Sequence, residues 1–110
     1  MRVYTRSDFL KLPAGTVYCQ GERWYFGGLT FKGESLDNDW YQVNPAWVDG
    51  KDSTECFERL EEMLNNRMSY PMQGDECRDG LFDANLFLVL EKDDLLQLRE
   101  WIDVAVRVCT

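Results

Sequence analysis

The sequence predicts an α+β domain: a mainly antiparallel sheet of four to five strands, packed with two long helices and one short N-terminal helix. Three observations carry this. Between Thr16 and Val48, short β-branched and aromatic runs are joined by short turn-rich links, the pattern of an antiparallel meander. From Asp52 and again from Asp93, apolar residues recur at helical spacing. Between those two helices lies a continuous apolar run, Leu86 to Leu90, with no polar alternation.

The chain begins with a predicted helix over Thr5–Leu12. Thr5 can cap it, with Asp8 three residues on, and Pro13 should stop it. Thr16–Gln20 reads as a strand, and Gly21-Glu22-Arg23 as a tight hairpin connection. A second strand spans Trp24–Phe31, with Gly27-Gly28 marking a bulge. Gly33–Asn38 is a polar loop, and Asp39–Val43 a third strand. Ala46-Trp47-Val48 extends the sheet before the Asp49-Gly50 turn.

Asp52 or Ser53 opens the first long helix, which runs to about Arg67. Phe57, Leu60 and Leu64 form its apolar stripe, widened by Cys56 and Met63. Glu55, Glu58 and Glu62 line the polar face. Residues 68–80 form a long loop, and loops of that length in a small domain are often functional. A strand over Phe82–Leu90 should lie near the middle of the sheet. Asp93-Asp94 then opens the last helix, negative charge at its positive dipole end, with Leu95, Leu98, Ile102 and Ala105 as its stripe.

The composition supports one folded domain over residues 1–110. Of these residues 45% are apolar and 14% aromatic, more than a disordered segment carries. No apolar segment follows Met1, and the longest apolar run is far shorter than a bilayer span, so the expected compartment is the cytoplasm and no membrane is engaged. Cys19, Cys56, Cys77 and Cys109 are then free thiols, and they lack the close pairs of a zinc site. With no histidine, Ser-His and Cys-His nucleophile pairs are excluded within the chain. No catalytic, metal or cofactor site is expected. Asp75–Leu86 resembles a calcium loop only faintly: Cys77 stands at the third position, and Leu86 where a bidentate Glu belongs.

The net charge of −8 is unevenly spread. Residues 1–33 carry five Lys/Arg against two Asp/Glu, residues 34–62 two against nine, and residues 63–110 five against nine. An acidic surface disfavours direct nucleic-acid binding and suits a basic protein partner. The residues expected to meet that partner are Glu34, Asp37, Asp39, Trp40, Glu55, Glu58 and Glu62, with Tyr70, Arg78 and Asp79 from the long loop. Trp24, Tyr25, Phe26, Tyr41 and Trp47 crowd the same region, and exposed aromatics of this kind anchor interfaces.

Several stretches resemble a group of small, uncharacterised phage and prophage accessory proteins with no assigned mechanism. They are Val3 to Gly15, Phe26-Gly27-Gly28-Leu29, Lys32-Gly33-Glu34, Ser69-Tyr70-Pro71 and Arg78 to Asp83. The resemblance implies a protein at work in the cytoplasm of an infected bacterium, where small acidic phage proteins often inhibit host defence, anti-CRISPR proteins among them. The leading expectation is therefore a non-enzymatic protein that binds a host protein, such as a nucleic-acid-binding defence component. A small-ligand or nucleotide sponge or sensor using the 68–80 loop and the sheet is one alternative, and a toxin-neutralising immunity protein another. Monomer and homodimer both remain open.

Overall fold

A computed structural model describes residues 1–23, 25–78 and 86–109. Among these residues, six strands and three helices occur in the order β1 (Arg2–Thr5), α1 (Arg6–Phe9), β2 (Val17–Glu22), β3 (Tyr25–Leu36), β4 (Asp39–Val43), α2 (Ser53–Asn66), β5 (Cys77–Arg78), β6 (Leu86–Val89) and α3 (Lys92–Val108). The strands form one sheet in the order β1-β6-β2-β3-β4-β5, antiparallel at every pairing. The fold is α+β as expected, with six strands rather than four to five. The added strands are β1 and β5, each too short to declare itself by alternation. Pairing with β6 and with β4 makes them strands.

The meander follows the sequence closely, with instructive shifts. Cys19 pairs with Leu29 and Gly21 with Phe26, so Gly27 and Gly28 together oppose Gln20. That is the expected bulge. The strands stay paired as far as Glu22 and Tyr25, so the expected connection at Gly21-Glu22 is strand, and Trp24 lies outside the described residues. A Cβ on Gly21 would stand 2.0 Å from the Tyr25 carbonyl oxygen, so the close strand approach there requires glycine. The expected polar loop at 33–38 is mostly strand. A second bulge sets Gly33 and Glu34 against Tyr41, and the chain turns only at Asp37-Asn38, with Asp37 in the left-handed region at φ 55°. Ala46–Val48 does not join the sheet. Val48 instead bridges Met72, because Ala46 at φ 63° bends the chain away.

The core lies on one face of the sheet. α1 is a four-residue helix, shorter than Thr5–Leu12, and its task is to drop Phe9 onto Tyr18, Trp40 and Phe87. Phe9 stacks on Phe87 at 4.1 Å between centroids, and Trp40 meets both edge-on. The hydroxyl of Thr5 donates to Asp8 Oδ2 at 3.3 Å rather than accepting a backbone N–H, so the expected side-chain cap is absent. Lys32, only 3% exposed, donates to the Gly33 carbonyl at 3.0 Å and to Ser35 Oγ at 2.8 Å. Ser35 Oγ donates in turn to the Leu10 carbonyl at 2.7 Å, tying the end of α1 to β3.

The two long helices form where the sequence places them but do not cover the sheet as expected. α3 starts in a capping box between Glu91 and Asp94, and the Met1 ammonium sits 2.7 Å from Asp94 Oδ2. Beyond its first turns the helix overhangs: Asp94, Leu95 and Leu98 are half-buried, and no residue of α3 is fully buried. The radius of gyration, 15.8 Å, exceeds the value of about 13 Å typical of a compact domain of this length.

Candidate functional site

α2 begins where Asp52 Oδ1 accepts the Glu55 N–H at 2.8 Å, and it ends at Arg67 in the left-handed region. Its neighbours are two chain segments, not the sheet. The Asp49 N–H donates to the Pro71 carbonyl at 3.1 Å and the Gln73 N–H to that of Trp47 at 2.7 Å, holding residues 47–49 against 71–73. Cys56 is the buried contact, its thiol donating to the Val48 carbonyl at 3.7 Å. Gly50 lets the helix approach, since a Cβ there would lie 2.7 Å from Cys56 Sγ.

Polar contacts then fix the rotation of α2. Arg59 donates to the Asp49 carbonyl at 2.5 Å, pairs with Glu55 at 3.0 Å and lies over the Tyr70 ring at 4.9 Å. The Tyr70 hydroxyl donates to the Glu62 carboxylate, and that bond raises the phenol above its ordinary range. Cys56, Leu60 and Met63 therefore face inward. Phe57 and Leu64, one helical step round, are left outside at 60% and 77% exposed. This corrects the expected stripe of Phe57, Leu60 and Leu64: only Leu60 of the three turns inward. The exposed Glu58 and Glu61 lie along one side of the pair, making a mixed apolar and acidic face.

The residues expected to meet a partner differ in where the fold places them. Trp40 is fully buried, so the expectation that it contacts a partner is corrected: the aromatic cluster takes it into the core. Asp39 is also buried. Its Oδ1 accepts the Trp40 N–H at 2.8 Å, and its Oδ2 accepts Arg78 Nε at 3.0 Å, so both residues serve the β4–β5 edge. Glu55, Glu62 and Tyr70 are half-buried and engaged with α2's own seat. Glu34 and Asp37 are exposed near the β3–β4 turn, as is Glu58 on α2. Asp79 lies outside the described residues. Of the aromatics, Tyr25 and Trp47 are exposed, and Phe26 and Tyr41 are half-buried.

A concavity of about 640 Å³ sits beside the Gly27-Gly28 bulge. Gln20, Thr30, Asn44 and Tyr25 line it, and Gln20 Oε1 is buried with no hydrogen-bond partner among the described residues. No group of three or more His, Cys, Asp or Glu side chains able to hold a metal is found among the described residues, and no helix there is long and apolar enough to cross a membrane. Most of the stretch resembling a calcium loop falls outside them. Compared with known proteins, the chain matches no family model, no curated protein and no solved structure.

Proposed function

We propose that the chain is a non-enzymatic accessory protein of a phage or prophage that binds a host protein, with the outward side of α2 as its contact face. One observation carries the choice of face: Phe57 and Leu64 stand exposed, with the exposed Glu58 and Glu61 along one side of them. Apolar side chains with carboxylates beside them suit a partner whose apolar groove has a basic rim. A nucleic-acid-binding defence component of the host cytoplasm has that chemistry, the carboxylates standing where phosphates would. The phage setting rests on the resemblance of the quoted stretches alone.

Five of the nine acidic residues between Glu34 and Glu62 are engaged within the fold: Asp39, Asp52, Glu55 and Glu62, and Glu61 through an exposed bond from Asn65 one turn along α2. Reversing Glu55 or Glu62 would unseat the helix, so the test uses Glu58 and Glu61. Capture from host lysate by the wild type is compared with Glu58→Lys/Glu61→Lys and with Phe57→Ser/Leu64→Ser. Both double variants should lose the captured protein; equal capture by all three overturns the assignment of the face. A captured toxin in place of a defence component would make this an immunity protein using the same surface.

The cavity beside the bulge favours a second reading, a small-ligand sponge or sensor. Gln20 Oε1 needs a donor, and Tyr25 offers a ring to stack on. A thermal-shift screen of nucleosides and nucleotides tests it. Stabilisation that Gln20→Leu abolishes supports the reading, and no shift with any of them removes it.

A further inference from the structure

From Trp101 to the C-cap Cys109, every residue is exposed, yet the stretch is mostly apolar. Trp101 is 64% exposed and Val108 76%, and Ile102, Val104 and Val106 are exposed with them. Together these five leave on the order of 500 Å² of apolar side chain in water, as large as the biggest patch on a typical monomer. Where the helix leaves the sheet, Leu98 and Trp101 roof a cleft of about 330 Å³ over Cys19, Leu29, Leu88 and Leu90.

We propose that this half of α3 forms a homodimer, in which two copies pack antiparallel about a two-fold axis between Asp103 and Val104. The proposal uses a different surface from the α2 face and does not depend on it.

Size argues for a second copy. Two such faces expose on the order of 1,000 Å² of apolar surface between them, the scale at which specific interfaces begin. The pattern is also self-complementary. Leu98, Ile102, Ala105 and Cys109 recur at four, three and four residues, the spacing of a helix-pairing seam. The two-fold sets Ile102 of each copy against Ala105 of the other. Each pair joins a larger side chain to a smaller one, so the seams interdigitate. A parallel pairing would instead oppose Ile102 to Ile102 and Ala105 to Ala105, crowding one level and leaving a gap at the next. The antiparallel arrangement also sets opposite helix-dipole ends side by side.

Charge points the same way. α3 carries Lys92, Arg99 and Arg107 against Asp93, Asp94, Glu100 and Asp103, so two copies meet there near electrical balance although each chain carries −8. An anionic membrane surface, the other apolar occupant of such a helix, would repel a chain of that charge.

Sedimentation of the full chain over a concentration series tests the proposal. The wild type should approach twice its 12.9 kDa mass. Trp101→Asp and, separately, Val106→Asp should stay monomeric with unchanged circular dichroism, since both positions are exposed. In a Cys109→Ser background, oxidation should cross-link an Ile102→Cys and Ala105→Cys mixture more than either variant alone. A wild type that stays at 12.9 kDa throughout overturns the dimer. Preferential Ile102→Cys self-cross-linking overturns the antiparallel register. The α2 variants should leave the dimer intact, which separates its failure from that of the binding face.

Discussion

The indole N–H of Trp40 donates to the Tyr18 hydroxyl at 2.7 Å, and that hydroxyl donates onward to Gln42 Oε1, also at 2.7 Å. Two large aromatics can thus sit in the core with their polar ends satisfied, and the chain of bonds links β2 to β4 across β3. Tyr18→Phe keeps the packing but removes the relay. It should lower stability by about 1–3 kcal/mol, the cost of a buried unsatisfied donor, seen as a lower urea midpoint at unchanged slope.

The seat of α2 predicts a contrast between neighbouring apolar positions. Phe57→Ser and Leu64→Ser should each change stability by less than about 0.5 kcal/mol, because both side chains are already in water. Leu60→Ala should cost about 1–2 kcal/mol, less than the 2–5 of a fully buried leucine, since Leu60 is half-covered. Denaturant curves of the three variants check this.

Asp52→Ala removes the oxygen that accepts the Glu55 N–H and should cost about 1 kcal/mol. Hydrogen exchange should speed up in the first turn of α2 and leave the sheet amides unchanged.

Lys32 and Tyr70 give alkaline effects of opposite sign. Burial pushes the Lys32 ammonium below its ordinary 10.5, so the folded chain binds fewer protons there than the unfolded chain. The cost of holding it charged is relieved as pH rises through its folded value towards 10.5, and stability from this group rises with pH. The Tyr70 phenol is raised above 10.0 by its bond to Glu62, so its contribution is fully present below 10.0 and lost as pH climbs through the folded value. Lys32→Met removes the first effect and keeps the second. The stability of the wild type relative to this variant should therefore increase from neutral pH to about pH 10. Parallel curves would contradict it.

Sequence pattern made the α+β class, β4, the start of α2 and the Gly27-Gly28 bulge legible, because turn residues, a capping Asp and strand alternation are local signals. It could not assign β1 or β5, whose strand character comes from partners far along the chain. Nor could it choose between two overlapping stripes on α2. Phe57-Leu60-Leu64 and Cys56-Leu60-Met63 lie side by side on the helix, and the bonds of Arg59 and Tyr70 to other segments decide between them. The same blindness put Trp40 on the surface and α3 onto the sheet. Of the expected partner-binding residues, Glu34, Asp37 and Glu58 stand exposed, whereas Asp39 and Trp40 are buried.

The measurement that tests the central claim most directly is the affinity of the purified chain for the host protein it captures, taken at several salt concentrations. Glu58→Lys/Glu61→Lys should bind at least about tenfold more weakly than wild type and with a shallower salt dependence, as expected when steering charges are reversed. Equal affinity and an equal salt slope for both chains would contradict the assignment of α2 as the binding face.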